Sequence, residues 1–522
     1  MLRPTPPRRA LRAASDYDAI VVGAGHNGLV CAAYLAQGGL RTLLVEARTS
    51  VGGVAASERF AGATVNICNC DHVTFRTTPV ADELDLARFG LRYLDIEPAQ
   101  VGTTWAGGPA WRQWHDVERT VDDLAATHPA EVEGYRRYLR AAKPVVELIV
   151  AAAVEPPTLT RLTRTAVRKR LAGVANVFRW SRRSAATVMR SFFGSEALLG
   201  PGLVSGPFVW GVSPERPGTG LGALPYAMRH VSQVGRPVGG SGRLTDALAA
   251  AFTHHGGVLR TSSPVARIVC GTDGVAAVTL TDGTELTAPV IVSACDARRT
   301  LVEWLRDPPA DAAGLIARWR DATQPEGYES KIDAVVTAPP RLRDGGDHLA
   351  STLTVAPPLP DLDRAAAMLP SGAVLPRPAL LVNVPSLADP TLAPQGCHVL
   401  SIEVLLTPYR LPGGWPGSSE PSRWLDVFAE LCEPGFLDTI VDWRAVTPDV
   451  YEREFNLPAG HAASFGGGPL AALRHPDPEL TQYETAVPGL FLTGAATFPG
   501  AGIWGASGRN CAHVVLQRTS VA

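Results

Sequence analysis

The residues that most constrain this chain run from Tyr17 to Ala47, YDAIVVGAGHNGLVCAAYLAQGGLRTLLVEA. Ala19–Val22 is short, apolar and β-branched, as a strand buried on both faces requires. It enters Gly23-Ala24-Gly25-His26-Asn27-Gly28; Leu29 to Gln37 then reads as a small-residue helix stopped by Gly38-Gly39, and Arg41 to Val45 as a second strand ending in Glu46. In a G-x-G-x-x-G unit of this kind the first glycine makes the tight turn. The second lets backbone approach a pyrophosphate, and the third lets helix pack on strand. Phosphates sit at the helix N-terminus, where unpaired N–H groups and the helix dipole favour negative charge. Glu46 stands at the usual distance past the last glycine, roughly 20 residues, in place to accept hydrogen bonds from a ribose diol. Ala47 lies beside it. The glycines alone are weak evidence; strand, glycines, helix, strand and acid in order are strong. His26 and Asn27 read as loop and helix-start residues.

The dinucleotide itself is chosen further on. Val51-Gly52-Gly53 places a diglycine just beyond the second strand, which a nicotinamide-binding unit does not need. Flavoproteins of the glutathione-reductase type use a diglycine there to run backbone along the FAD pyrophosphate and ribityl chain, so the reading tilts to FAD.

Five hundred and twenty-two residues exceed one hydrophobic core, so two or more domains are expected. A net charge of −2 gives no case for nucleic acid as a partner. The eight cysteines are scattered, which favours reduced thiols in a cytoplasmic protein over a disulfide framework. No apolar run reaches the ~18–20 residues of a membrane span. Residues 1–15 carry Arg3, Arg8, Arg9 and Arg12 among prolines and alanines and read as a disordered basic tail.

Leu84 to Leu91 looks helical and leads into a long insertion without the nucleotide-domain pattern. Within it, residues 156–195 contain no acid, and Arg161 to Arg183 carry eight bases interleaved with Leu162, Val167, Leu171, Val174, Val177, Phe178 and Trp180. Two readings stay open: a cationic amphipathic element resting peripherally on an anionic membrane, with Trp180 at the headgroups, or a solvated helix face paired with acids elsewhere. The α/β pattern resumes at Gly239 with a glycine turn, a helix and strands, and Asp282-Gly283 between alternating apolar runs signals a hairpin. It returns once more over 483–522. The expected architecture is α/β: a Rossmann-like FAD-binding domain assembled from 16–100, 236–300 and 441–522, and an α+β substrate domain from the insertions 101–235 and 301–440.

Leu490 to Asn510, LFLTGAATFPGAGIWGASGRN, reads as a buried strand ending at Gly494, a Pro/Gly loop and a helix from about Gly505. Gly500 to Gly505 formally spells a second G-x-G-x-x-G, yet too little chain follows it for a strand with an acid to be completed. Together with the N-terminal unit, this strand–glycine–helix ending marks an FAD protein, with no separate NAD(P)H site expected.

Four stretches, VVGAGHNGLVCAAYLA, GRPVGGSGRLTDALAAAFTHHGG, VPSLADPTLAPQGCHVLSIEV and VPGLFLTGAATFPGAGIWGASGRNCA, resemble the phytoene-desaturase branch of FAD oxidoreductases. The resemblance is sharp at both termini and thin over 100–235, where substrate would be chosen. It implies non-covalent FAD, with Gly23, Gly25 and Gly28 at the pyrophosphate, Glu46 at the adenosine ribose and Gly52 and Gly53 along the diphosphate. It further implies Val265 at adenine through its backbone, and Gly494 with the Gly502-Ile503-Trp504-Gly505 loop beside the ribityl chain and flavin ring. The activity implied is two-electron dehydrogenation, saturation or isomerisation of a small apolar or secondary-metabolite substrate; since no nicotinamide site is expected, O₂, a quinone or another diffusible acceptor should take the electrons. Fold analogy does not select among these.

Candidate chemistry concentrates in TVNICNCDHVTFRTTP. If this stretch is extended, Cys68, Cys70 and His72 share one face and Asn69 and Asp71 the other. Zinc is a poor reading, because same-face strand residues lie ~6–7 Å apart and a further ligand would be needed. His72 reads either as part of a polar strand or as an acid/base or substrate-orienting residue. Trp504 reads as a substrate-stacking ring or a core tryptophan, and His461 lies in a glycine-rich loop expected near the flavin. Arg243 reads as a phosphate contact or a helix-start charge. Lys331, near Tyr328, reads as a snorkelled surface lysine. Two other activities stay open: an amine-oxidase-like flavoprotein using O₂, and an escort protein for lipid cargo that uses this architecture without FAD. The intact phosphate-turn glycines argue against the escort.

Overall fold

Strands too apolar to face water on either side build the central layer. The computed structural model describes residues 15–521 except 69, 328, 347, 462, 463, 465, 467 and 476; the expected basic tail, apart from Ser15, and the readings of Asn69 and Tyr328 lie outside the described residues. β1 (Ala19–Val22), β2 (Thr42–Val45), β3 (Val258–Arg260), β4 (Val290–Ser293) and β5 (Leu490–Leu492) form one sheet in the order β5-β4-β1-β2-β3. Every pairing in it is parallel. All but the edge strand β3 are wholly buried, which accounts for their continuous Val/Ile/Leu character. On one face, α1 (His26–Gln37) packs against both α2 (Gly242–His254) and α3 (Ala506–Val521). On the other, Ile20, Val22, Leu43 and Ile291 meet Ile268 and Val278 of a smaller four-stranded sheet. The hairpin expected at Asp282-Gly283 forms there, pairing Gly274–Leu280 with Glu285–Thr287.

A second sheet of seven strands carries Gln100–Thr104, Trp111–Gln113, Glu329–Val336, Leu353–Ala356, Leu380–Asn383, His398–Leu405 and Ile440–Val446. Its pairings are antiparallel except that of Leu353–Ala356 with Gln100–Thr104. The insertion after residue 113 is mainly helical and builds its own core around Tyr135, Tyr138, Phe193 and Tyr226.

Two expectations about elements need correction. The boundary at 441 falls inside Ile440–Val446, which pairs with Glu329–Val336, so the chain leaves the second sheet only after that strand. The helix expected over Leu84–Leu91 is two short pieces, Val80–Glu83 and Leu86–Phe89, broken where Asp85 adopts a left-handed φ of 48°. A single such residue ends regular helix geometry.

Candidate functional site

At the carboxyl ends of β1, β2, β4 and β5 lies a cavity of about 400 Å³. This is where open α/β sheets place their ligands. Its floor is the glycine turn, where the three glycines differ in what a side chain would meet. Gly23 takes φ +96°, a left-handed turn that an L side chain resists. A Cβ on Gly28 would stand 2.0 Å from the Gly23 carbonyl oxygen, so that glycine is demanded by helix–strand packing. A Cβ on Gly25 would meet nothing within 4 Å. Gly25 is therefore the position whose emptiness belongs to the cavity and not to the fold. Gly52, at φ +117°, donates to the Ala24 carbonyl at 2.8 Å and bridges Gly25, bringing the diglycine alongside the turn.

Glu46 forms the next wall. Its carboxylate accepts from the Ala24 amide at 2.7 Å and the Arg48 amide at 2.9 Å, one on each oxygen. A carboxylate oxygen has two acceptor directions, so each keeps capacity for a ligand hydroxyl. Ala47, Ser263, Pro264 and Val265 continue this wall, and Ala294–Asp296 with Thr493–Ala496 line the opposite side. The roof comes from beyond the seven-stranded sheet: Phe455, Asn456, Leu457, Pro458 and His461 all line the cavity. Two arginines brace it. The Arg48 guanidinium lies 4.3 Å from the Phe455 ring centre, and Arg299 donates to the Asn456 carbonyl at 3.4 Å.

Gly23, Gly25, Gly28, Glu46, Ala47, Gly52, Gly53, Val265, Gly494 and His461 thus meet at one cavity. Gly502, Ile503, Trp504 and Gly505 are not among its lining residues. That loop packs one layer away: Thr74 donates to the Ile503 carbonyl at 2.7 Å, and Gly505 closes on Phe75 and Val30. Trp504 takes the core alternative, packed with Ala153 and Ala506 and donating to the Ala501 carbonyl. Between loop and cavity stands His26, whose Nε2 is buried without a hydrogen-bond partner among the described residues, as is the Asn27 Oδ1. Burial, opposed by the Gly502 backbone, brings the His26 pKa down to about 4, so the ring is neutral. Burial likewise lowers His461, against the Gly327 carbonyl.

His72 is placed elsewhere. The strand Ala63–Asn66 ends before it, so Cys68, Cys70 and His72 do not share a strand face. His72 is wholly buried, with Nδ1 2.9 Å from the Tyr93 hydroxyl and Nε2 3.0 Å from the Ser241 hydroxyl. Desolvation, with His26 adding to it, lowers its pKa to about 3. Cys70 faces Asn383 and Asp71, and burial raises its thiol to about 12. Arg243 is a helix-start charge, exposed and 3.5 Å from Asp246.

The largest correction concerns Lys331, which is 1% exposed and not a surface residue. Its ammonium donates to the Asn66 carbonyl at 2.7 Å and pairs with Asp333. Glu329, Lys331 and Asp333 alternate along one strand, a pattern that in isolation reads as a solvated face; here the hairpin Ser57–Phe60/Ala63–Asn66 and the residues after it cover that face. Glu329 accepts from the Tyr451 hydroxyl at 3.2 Å and from Cys68 at 3.5 Å, and Glu403 lies opposite Lys331 in the sheet register. Burial and then the neighbouring Glu329 push Glu403 well above the carboxylate range, and burial raises Glu329 too. Alongside, Asp71 and Arg236 form an ion pair at 2.6 Å with both side chains buried. Burial alone would raise Asp71, but Arg236 and the Thr352 hydroxyl outweigh it and hold the carboxyl below its usual range. Apart from the Lys331–Asp333 alternation, none of these partners is signalled by spacing in the sequence, because the other contacts join segments far apart in the chain.

Comparison with known proteins identifies the architecture. The family model of flavin-containing amine oxidoreductases matches residues 28–324. The rat pyridine nucleotide-disulfide oxidoreductase domain-containing protein 2 is 28% identical over 96% of this chain and 94% of its own length. The lycopene-forming phytoene desaturase of Pseudescherichia vulneris is 25% identical over 95% of this chain and 99% of its own. Among solved structures, a putrescine oxidase triple mutant shares the fold with a TM-score of 0.63 at 16% identity, covering 96% of this chain and 99% of that one. With an open phosphate turn, an acid with spare acceptor capacity and a diglycine beside them, the cavity fits FAD. The chain belongs to the flavin-containing amine oxidoreductase family and is an FAD-dependent oxidoreductase resembling the phytoene desaturases.

Proposed function

We propose that the protein holds one non-covalent FAD per chain and dehydrogenates a lipophilic or secondary-metabolite substrate by two electrons. The observation that carries the reading is the open space over Gly25, at the start of α1 and between Glu46 and the diglycine. In this reading the amides around Gly23, Gly25 and Gly28 and the N-terminus of α1 hold the pyrophosphate. Glu46 and Ala47 take the ribose, and Val265 takes the adenine edge. Gly52, Gly53 and Gly494 admit the rest of the chain without side chains in the way. FAD, when bound, accepts hydride at N5. The protein's part is to hold the substrate C–H against that position and exclude water.

The roof Phe455–Pro458 keeps water from the cavity, with Arg48 and Arg299 bracing it. His461 is the one sequence-predicted catalytic residue that lines the cavity, and being held towards its neutral form it is suited to accept a proton or orient a polar substrate group. His72, with both nitrogens occupied, acts as a positioning residue that ties Tyr93 to Ser241 at the start of α2. Trp504 orients the closing loop from within the core. The three-segment domain division and the cytoplasmic location belong to the same reading, with lipophilic substrate met at a membrane face and electrons passed to O₂ or a quinone. The phytoene desaturase relative supports an apolar substrate; the putrescine oxidase fold alone selects none.

Anaerobic mixing of the yellow protein with isoprenoid, other apolar and amine candidates tests this. Bleaching by an apolar candidate and not by amines is expected. Fast saturable bleaching by an amine would replace this reading with the amine-oxidase alternative, and equally fast bleaching by NADPH would contradict the absence of a nicotinamide site.

A further inference from the structure

Exposed large hydrophobic side chains are few among the described residues, and they are unevenly placed. Of the nine, four fall between residues 159 and 178: Leu159 at 71%, Val167 at 63%, Leu171 at 61% and Phe178 at 41% exposed. They sit in the acid-free stretch that carries the eight bases. The helix Leu159–Arg168 has no buried residue, a turn follows, and the helix Val174–Trp180 is pinned to the core through Val177 and Trp180. The expected headgroup role for Trp180 is thereby excluded, since that ring is 4% exposed.

Three of the eight bases have an internal ion-pair partner among the described residues. Arg161 and Arg164 share Glu155, and Lys169 reaches Glu147. Among the described residues, Arg168, Arg170, Arg179, Arg182 and Arg183 have no carboxylate within ion-pair distance. A solvated face would spend these charges on acids or water and would not expose four large apolar groups among them. A surface of anionic headgroups over hydrocarbon satisfies both kinds of group at once.

We propose that Leu159–Phe178 is a docking surface for an anionic lipid bilayer, with Leu159, Val167, Leu171 and Phe178 entering the interface and the unpaired arginines meeting the headgroups. The base of this surface is fastened to the closing segment of the cofactor domain. Gln482 donates to the Pro157 carbonyl at 3.1 Å, Arg509 to Val154 at 2.8 Å and Asn510 to Ala153 at 2.9 Å, while Ala153 packs on Trp504. Docking would therefore present the bilayer on the side where the insertion meets the Trp504 loop. The proposal deepens the lipophilic-substrate reading and rests on it for its purpose, though not for its physics.

Sedimentation of FAD-loaded protein with phosphatidylglycerol/phosphatidylcholine vesicles and with pure phosphatidylcholine vesicles, each at low and high salt, is the test. Binding to the anionic vesicles at low salt, at least tenfold weaker on neutral ones and weakened again by salt, is expected, because each base near an anionic surface contributes about fivefold. Arg168→Glu with Arg170→Glu should lower binding more than tenfold, and Leu171→Asp with Phe178→Asp should do the same while FAD content stays unchanged. No binding at low salt, or equal binding to both vesicles, overturns the proposal. So does binding that needs the arginines but ignores the Leu171 and Phe178 changes, since that describes a soluble polyanion. Flavin bleaching by a detergent-dispersed substrate is read separately, so a soluble enzyme that fails to dock and a docked protein with another substrate give different results.

Discussion

The two walls of the cofactor domain's surroundings are built on opposite principles. The glycine turn, Glu46 and the diglycine form a wall of backbone, in which amides and absent side chains do the recognising. The interface with the seven-stranded sheet is a wall of buried ionisable groups, where Lys331 pairs with Asp333 and Asp71 with Arg236 while burial holds Glu329 and Glu403 towards their protonated forms. The first wall is local in the chain and the second is assembled from distant segments. Backbone recognition leaves a fixed spacing in the sequence; charge complementation across sheets leaves only residues that look misplaced.

The sharpest way to separate the two is to damage each alone. Gly25→Leu places a side chain in open space, so the protein should fold with an unchanged circular dichroism spectrum and yet purify colourless. Gly28→Leu, by contrast, should fail to fold, because its Cβ strikes the Gly23 carbonyl. A yellow Gly25→Leu protein would remove the turn from the cofactor site.

Asp71→Asn attacks the charged wall. It leaves Arg236 buried without its carboxylate, so unfolding in urea should show a loss of about 3–5 kcal/mol. A loss under about 1 kcal/mol would mean the pair is hydrated and the wall is not dry.

Glu46→Ala lies between the walls in kind. It removes the acceptor for the Ala24 and Arg48 amides and for the ribose, and FAD affinity by titration of the apoprotein should fall by about 1–3 kcal/mol, roughly fivefold to 150-fold. Unchanged affinity would assign Glu46 to the fold alone.

A further effect is set by pH. His72 is neutral in the folded state, with its pKa depressed to about 3. A depressed folded pKa gives stability that is complete above the unfolded value of ~6.5 and is lost as pH falls towards the folded one. Acidification through that window should cost about 1.4 kcal/mol per pH unit for this histidine, and His72→Gln should have a shallower acid limb. His26 and His230, both brought down to about 4 by burial, contribute in the same direction, so the slope is reduced and not abolished.

The same division governs what the sequence disclosed. β1, α1, β2 and the residues of the turn are legible because each demand is met within a few residues of its neighbours, and β5 with α3 because a buried strand, glycines and a helix recur at the end of the chain. The Cys68–His72 stretch defeats a period-2 reading because the chain leaves the strand at Asn66. Lys331 defeats a surface reading because alternation says which face a side chain takes and not what covers that face. The roof Phe455–Pro458 carries no signal, since it acts through position. Trp504 stands in the sequence between two roles that only packing against Ala153 decides.

The central claim is that the cavity at the glycine turn holds FAD, and it is tested most directly by denaturing the purified protein and identifying what it releases. Close to one FAD per chain, lost in Gly25→Leu and kept in Asp71→Asn protein that remains folded, is the predicted result. A colourless protein that takes up no FAD on reconstitution would contradict it.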